Sequence, residues 1–88
     1  MDYGYLLNQY RSIWNNRLLE SDESSEEIIK EAVKRELLDE NSHPRVRKSV
    51  HEKFYLAVKR IVESQLNEED KFALITLHIQ IMKDLKQN

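Results

Sequence analysis

Cysteine is absent from this 88-residue chain, and glycine and proline each occur only once. Without cysteine the chain has no disulfide, no thiolate zinc site and no cysteine nucleophile. One glycine and one proline are too few for the turns of a β-sandwich, a glycine-rich dinucleotide loop or the nucleophile elbow of an α/β-hydrolase. The composition therefore argues against sheet-based folds and against several classes of enzyme.

The chain also has no long hydrophobic run. Its most apolar segment, residues 72–82, is interrupted by Thr76, His78 and Gln80, whereas a membrane span needs about 20 apolar residues. The first nine residues contain no basic region and only one pair of leucines, so we expect no signal peptide. These features predict a soluble protein of the cytoplasm.

Apolar residues recur with helical spacing, which predicts four helices at about residues 3–19, 25–38, 44–65 and 68–86. Ser24 and Asn67 are suitable N-caps, and Pro44 suits the first position of a helix. The loops between these segments are short enough for antiparallel neighbours. We therefore expect one all-α domain over residues 1–88, an antiparallel four-helix bundle that homodimerisation could complete or extend.

The fourth predicted helix is apolar on two sides. One stripe consists of Leu74, Leu77, Ile81 and Leu85. The second stripe consists of Phe72, Ile75, Ile79 and Met82. A helix that is apolar nearly all round is normally buried on both sides. Two alternatives follow: the helix lies centrally among its neighbours, or the second stripe mediates self-association.

No residue pattern predicts a catalytic or metal site. The three histidines, His43, His51 and His78, lack the spacing of metal ligands. His51 and Glu52 begin a zinc-protease-like H-E-x-x-H pattern, but Tyr55 stands where the second histidine is required. Adjacent carboxylates fall in linkers and first helical turns, where hydration and capping account for them. We expect no enzyme activity, no catalytic residues, no metal and no cofactor.

Charge is distributed unevenly although the net charge is only −2. Residues 20–40 carry nine acidic and three basic side chains, and residues 41–60 carry six basic side chains and one acidic. Either the two segments complement each other within the chain or across a dimer, or the basic segment presents a cationic surface to another molecule.

We predict that this chain functions through contact with another protein. In size and build it resembles small helical inhibitors, bacteriocin-immunity proteins and phage-encoded regulators, which implies an inhibitory, immunity-type, regulatory or adaptor role. The candidate contact residues are three aromatic and three basic side chains: Tyr3, Tyr10, Trp14, Arg45, Lys48 and Lys59. The alternative is a nucleic-acid-binding regulator that uses the basic helix 44–60, which the negative net charge disfavours.

Overall fold

The structure, a computed structural model, describes residues 2–13, 24–40 and 42–86. Its elements are α1 (Tyr3–Ile13), α2 (Ser25–Leu37), a short 3₁₀ helix (Pro44–Val46), α3 (Val50–Glu63) and α4 (Glu68–Lys86). No strand occurs in the described part of the chain. The predicted all-α fold of four helices is therefore confirmed. The predicted extension of the first helix to residue 19 lies outside the described residues.

Two of the predicted helix starts are confirmed by capping hydrogen bonds. The Ser24 hydroxyl accepts a hydrogen bond from the Glu27 backbone N–H at 3.3 Å, and the Asn67 side chain accepts one from the Asp70 backbone N–H at 2.8 Å. Each cap satisfies a backbone donor that has no partner inside the helix. The acidic residues in the first turns of α2 and α4 also suit the positive end of the helix dipole.

The predicted start of the third helix at Pro44 is wrong, because α3 begins at Val50. His43 caps only the single 3₁₀ turn that Pro44 opens. The chain then runs extended until Ser49, whose hydroxyl accepts a hydrogen bond from the Glu52 backbone N–H at 3.1 Å. The proline fits a helical first position, but a second serine cap further along the chain determines where α3 starts.

α2 and α4 form the centre of the bundle, since each of them contacts the other three helices. The buried core contains residues from all four helices: Leu6, Leu7, Tyr10, Ile28, Ile29, Ala32, Val33, Leu37, Ile61, Leu74, Leu77 and Ile81. Burial of such side chains contributes about 25 cal/mol per Å² of apolar surface. The single glycine, Gly4, lies in α1.

The two apolar stripes of α4 have different environments. Leu74, Leu77 and Ile81 of the first stripe are buried in the core. In the second stripe, Phe72 is 74 % exposed and Ile79 is 40 % exposed. The other two members of that stripe are half-buried against the core. The central position of α4 therefore leaves part of its second stripe in contact with solvent.

Candidate interaction surface

A charged side chain lies at the centre of the bundle. Glu36 of α2 is only 4 % exposed. Its Oε1 accepts a hydrogen bond from the Tyr10 hydroxyl of α1 at 2.8 Å, and its Oε2 accepts one from the Arg60 guanidinium of α3. The imidazole of His78 in α4 lies beside the same carboxylate. Each helix thus contributes one side chain to what we call the central network: Tyr10, Glu36, Arg60 and His78.

The imidazole of His78 is fully buried and is oriented by its own helix. Its Nδ1 lies 2.7 Å from the Leu74 carbonyl oxygen, so Nδ1 carries the proton and donates to that oxygen. Nε2 lies 3.7 Å from Glu36 Oε1, which is too long for a hydrogen bond. Among the described residues Nε2 has no hydrogen-bond partner. The ring also packs at a tilt against the Tyr10 ring, with 6.0 Å between the ring centres.

The central network holds its carboxylate ionised. Burial opposes ionisation of Glu36, but the interactions with His78, Arg60 and Tyr10 outweigh it and lower its pKa to about 2. Burial and the neighbouring Glu36 charge raise the pKa of Tyr10 well above its ordinary range. Because the network joins one side chain from each of the four helices, it links the helices inside the core.

A second carboxylate, Asp39, organises the connection between α2 and α3. Its backbone has a positive φ of 53°, a conformation that aspartate tolerates better than most residues. Its carboxylate accepts hydrogen bonds from the Lys48 backbone N–H at 2.9 Å and from the Ser42 hydroxyl at 3.0 Å. The Lys53 ammonium lies 3.6 Å away. The Lys48 N–H, the Ser42 hydroxyl and the nearby lysine charges lower the pKa of Asp39, although partial burial opposes this.

Arg47 also stabilises the connection between α2 and α3. Its Nε donates to the Ser42 carbonyl oxygen at 3.1 Å, and its Nη2 donates to the Glu40 carbonyl oxygen at 3.5 Å. Asp39 and Arg47 together tie down both ends of residues 43–49, which we call the basic loop. All seven residues of the basic loop are exposed.

The basic loop presents an apolar side chain between two cations. Val46 is 67 % exposed, and Arg45 and Lys48 on either side of it are exposed as well. Neither cation forms a salt bridge with any residue that the structure describes. Arg45 and Lys48, two of the predicted contact residues, thus both lie in the exposed basic loop.

The remaining cations of the basic segment are engaged within the chain. Arg60 donates to Glu36, Lys53 lies near Asp39, and Lys59 lies 3.8 Å from Glu63. Two of these contacts, Arg60 with Glu36 and Lys53 with Asp39, therefore join the basic segment to the acidic segment within the molecule. The predicted basic helix 44–60 is not continuous, because Arg45 and Lys48 precede α3 and Lys59 lies within it.

The two described aromatic contact residues, Tyr3 and Tyr10, do not form an exposed surface. Tyr10 is 1 % exposed and belongs to the central network, so its prediction as a partner contact is corrected. Tyr3 is half-buried, and the Lys30 ammonium lies 5.3 Å from the centre of its ring. Trp14 lies outside the described residues. The hydroxyl of Tyr5, which the sequence did not single out, donates to Asp70 at 2.8 Å.

The described residues provide no metal-binding group: no three His, Asp or Glu side chains are placed to hold an ion. None of the helices in those same residues is long and apolar enough to cross a membrane.

Comparison with known proteins places the chain in a family. It matches the YoyC family over residues 1–88. The chain belongs to the YoyC family. The protein YoyC of Bacillus subtilis (strain 168) is 43 % identical to it over 82 residues, which is 93 % of this chain and 87 % of that protein. No solved structure matches the chain significantly. The YoyC-family match includes all four helices, the central network and the basic loop.

Sequence reasoning did not identify Glu36, the buried carboxylate of the central network in this YoyC-family chain, although the sequence contained a signal for it. Glu36 lies seven residues after Ile29 and three after Val33, which places it within the apolar stripe of α2. A charged residue at such a position is rarely buried without a partner. That position therefore indicated that a cation from another helix must reach it.

Proposed function

We propose that this YoyC-family protein is an interaction module that binds an acidic protein through the basic loop, and that it acts as an inhibitor, an immunity-type protein or a regulatory adaptor. The observation that carries the proposal is the exposed Arg45–Val46–Arg47–Lys48 segment, with Val46 between two cations that form no salt bridge with the described residues.

The internal hydrogen bonds of the loop favour binding. Asp39 and Arg47 already hold the loop in one conformation, so a partner would not have to order it on association. Ordering costs about 0.5–1.5 kcal/mol for each long side chain that is immobilised. An apolar centre bordered by polar groups also resembles the usual arrangement of a protein interface.

The charges favour an acidic protein over a nucleic acid. Of the three cations in the loop, Arg47 already donates to the Ser42 and Glu40 carbonyl oxygens, which leaves Arg45 and Lys48 for a partner. Exposed Glu40 and Glu52 flank the loop in sequence. Nucleic-acid binding depends on several phosphate contacts and on a strongly basic surface. A few cations around an apolar side chain are better suited to steering and orienting an acidic protein surface.

The test is affinity capture from the native host followed by titration with the purified partner. We expect wild-type protein to recover one acidic protein and Arg45→Glu/Lys48→Glu to bind it at least about tenfold more weakly, because two attractive contacts become repulsive. The matched control is Lys34→Glu/Lys83→Glu, which changes net charge equally at exposed positions of α2 and α4 and should bind normally.

Two results would contradict the proposal. One is equal binding of the captured protein by wild type and by the loop variant. The other is retention of nucleic acid by wild-type protein at low salt that decreases steeply as salt increases, which would favour the nucleic-acid alternative instead.

A further inference from the structure

The exposed side of α4 is apolar in the middle and charged at its ends. Phe72 and Ile79 are the exposed apolar side chains, and half-buried Ile75 lies between them. Glu68 is exposed one turn before Phe72, and Lys83 is exposed one turn after Ile79. At 100° per residue these five side chains fall within an arc of about 80°. We call these residues the α4 face.

The charges at the two ends of the α4 face, Glu68 and Lys83, have no salt-bridge partner among the residues that the structure describes. One end of the face is therefore acidic and the other basic. An occupant with the opposite polarity along its length would neutralise both ends.

The spacing of these residues is symmetric. Phe72 and Ile79 are equally distant in sequence from the point between residues 75 and 76, and so are Glu68 and Lys83. A two-fold axis through that point would bring a second, antiparallel α4 into register. Each Phe72 would then lie against an Ile79, and each Glu68 against a Lys83. A parallel arrangement would place like charges together at both ends.

We propose that the occupant of the α4 face is a second copy of this chain, bound antiparallel across a two-fold axis between residues 75 and 76. In such an interface the same surface of each copy meets itself, and one apolar contact and one ion pair each occur twice. The same face of one chain carries the acidic end, the basic end and the apolar residues between them, so two copies are complementary to each other. An unrelated protein would need a matching pattern by chance.

The expected dimer is weak. A single pair of packed helices buries less surface than the roughly 1,200–2,000 Å² of a stable interface. We therefore expect dissociation constants of about 1–100 μM, and a mixture of monomer and dimer at ordinary laboratory concentrations.

The experiment is sedimentation or light scattering over a dilution series from about 1 μM to about 1 mM, with circular dichroism to verify folding. Wild type should dimerise with increasing concentration. Glu68→Lys and Lys83→Glu should each weaken dimerisation about tenfold or more, because each places like charges at both ends of the interface. Arg45→Glu, in the basic loop, should dimerise like wild type.

Recombining the two charge changes tests the antiparallel register. The double variant Glu68→Lys/Lys83→Glu restores opposite charges and should recover dimerisation. An equimolar mixture of the two single variants should form a heterodimer, since one copy then carries two cations and the other two anions.

Three results would overturn the proposal: a wild-type monomer at about 1 mM, single variants that dimerise like wild type, or a double variant as weak as the singles. None of them depends on the basic loop, so failure here would leave the proposed function standing.

Discussion

The central network and the basic loop both contain arginine, but in different environments. Arg60 donates to a buried carboxylate, whereas Arg45 is exposed and forms no salt bridge with the described residues. Both arginines come from the one basic segment of the sequence. The net charge of a segment therefore does not predict what the segment can bind, because carboxylates of the same chain already pair with some of its basic side chains.

This comparison also separates two consequences of mutation. A buried ion pair is costly to break, because removal of one partner leaves the other desolvated and unpaired. An exposed cation contributes little to stability but can contribute to recognition. Substitutions in the network should therefore affect folding, and substitutions in the loop should affect binding.

The largest effect is expected for Glu36→Ala. This change removes the buried carboxylate to which the Arg60 guanidinium and the Tyr10 hydroxyl donate, and we expect a loss of about 3–5 kcal/mol in the free energy of unfolding. Urea denaturation measures it. The control is Glu31→Ala on the same helix, where the exposed pair with Arg35 should contribute less than about 1 kcal/mol. Equal losses in the two variants would remove the distinction between buried and exposed pairs.

Acid should weaken the fold through the same carboxylate. The pKa of Glu36 is about 2 in the fold, against an ordinary value of 4.5. Its stabilising contribution is therefore complete above pH 4.5 and disappears as the pH falls towards 2. We expect the wild-type free energy of unfolding to decrease across that interval, and Glu36→Gln to decrease less. Parallel curves for the two proteins would show that Glu36 is not the group responsible.

A smaller effect is expected at Asp39. Asparagine tolerates positive φ, so Asp39→Asn removes the charge while keeping the backbone conformation. We expect a loss of about 1 kcal/mol and faster hydrogen exchange in residues 43–49. Asp39→Ala should lose roughly 1–2 kcal/mol more, because alanine disfavours the left-handed conformation. Identical exchange in wild type and Asp39→Asn would mean that the carboxylate does not hold the loop.

The helical architecture was predictable from local features. Apolar spacing revealed four segments, and the caps at Ser24 and Asn67 are short-range interactions that a sequence shows directly. The start of α3 was missed because two signals competed. Pro44 satisfied the rule for a first helical position, but the extended backbone before Ser49 separates it from the helix.

The network and the loop depend on contacts that are distant in sequence. Glu36 and Arg60 are 24 residues apart, and Tyr10 is 26 residues from Glu36. Helical periodicity places each of them on a face of its own helix but does not say which faces meet. The same limit explains Tyr10, because an aromatic ring in the apolar stripe of α1 is compatible with core packing and with a binding surface.

The central network also has a consequence for how the chain folds. Its four members come one from each helix, so a form with any single helix detached would leave a buried group without its neighbours. Such partly assembled forms are therefore higher in free energy than the complete fold and the unfolded chain. The four helices should therefore form and melt together in a single cooperative transition, despite the small size of each helix.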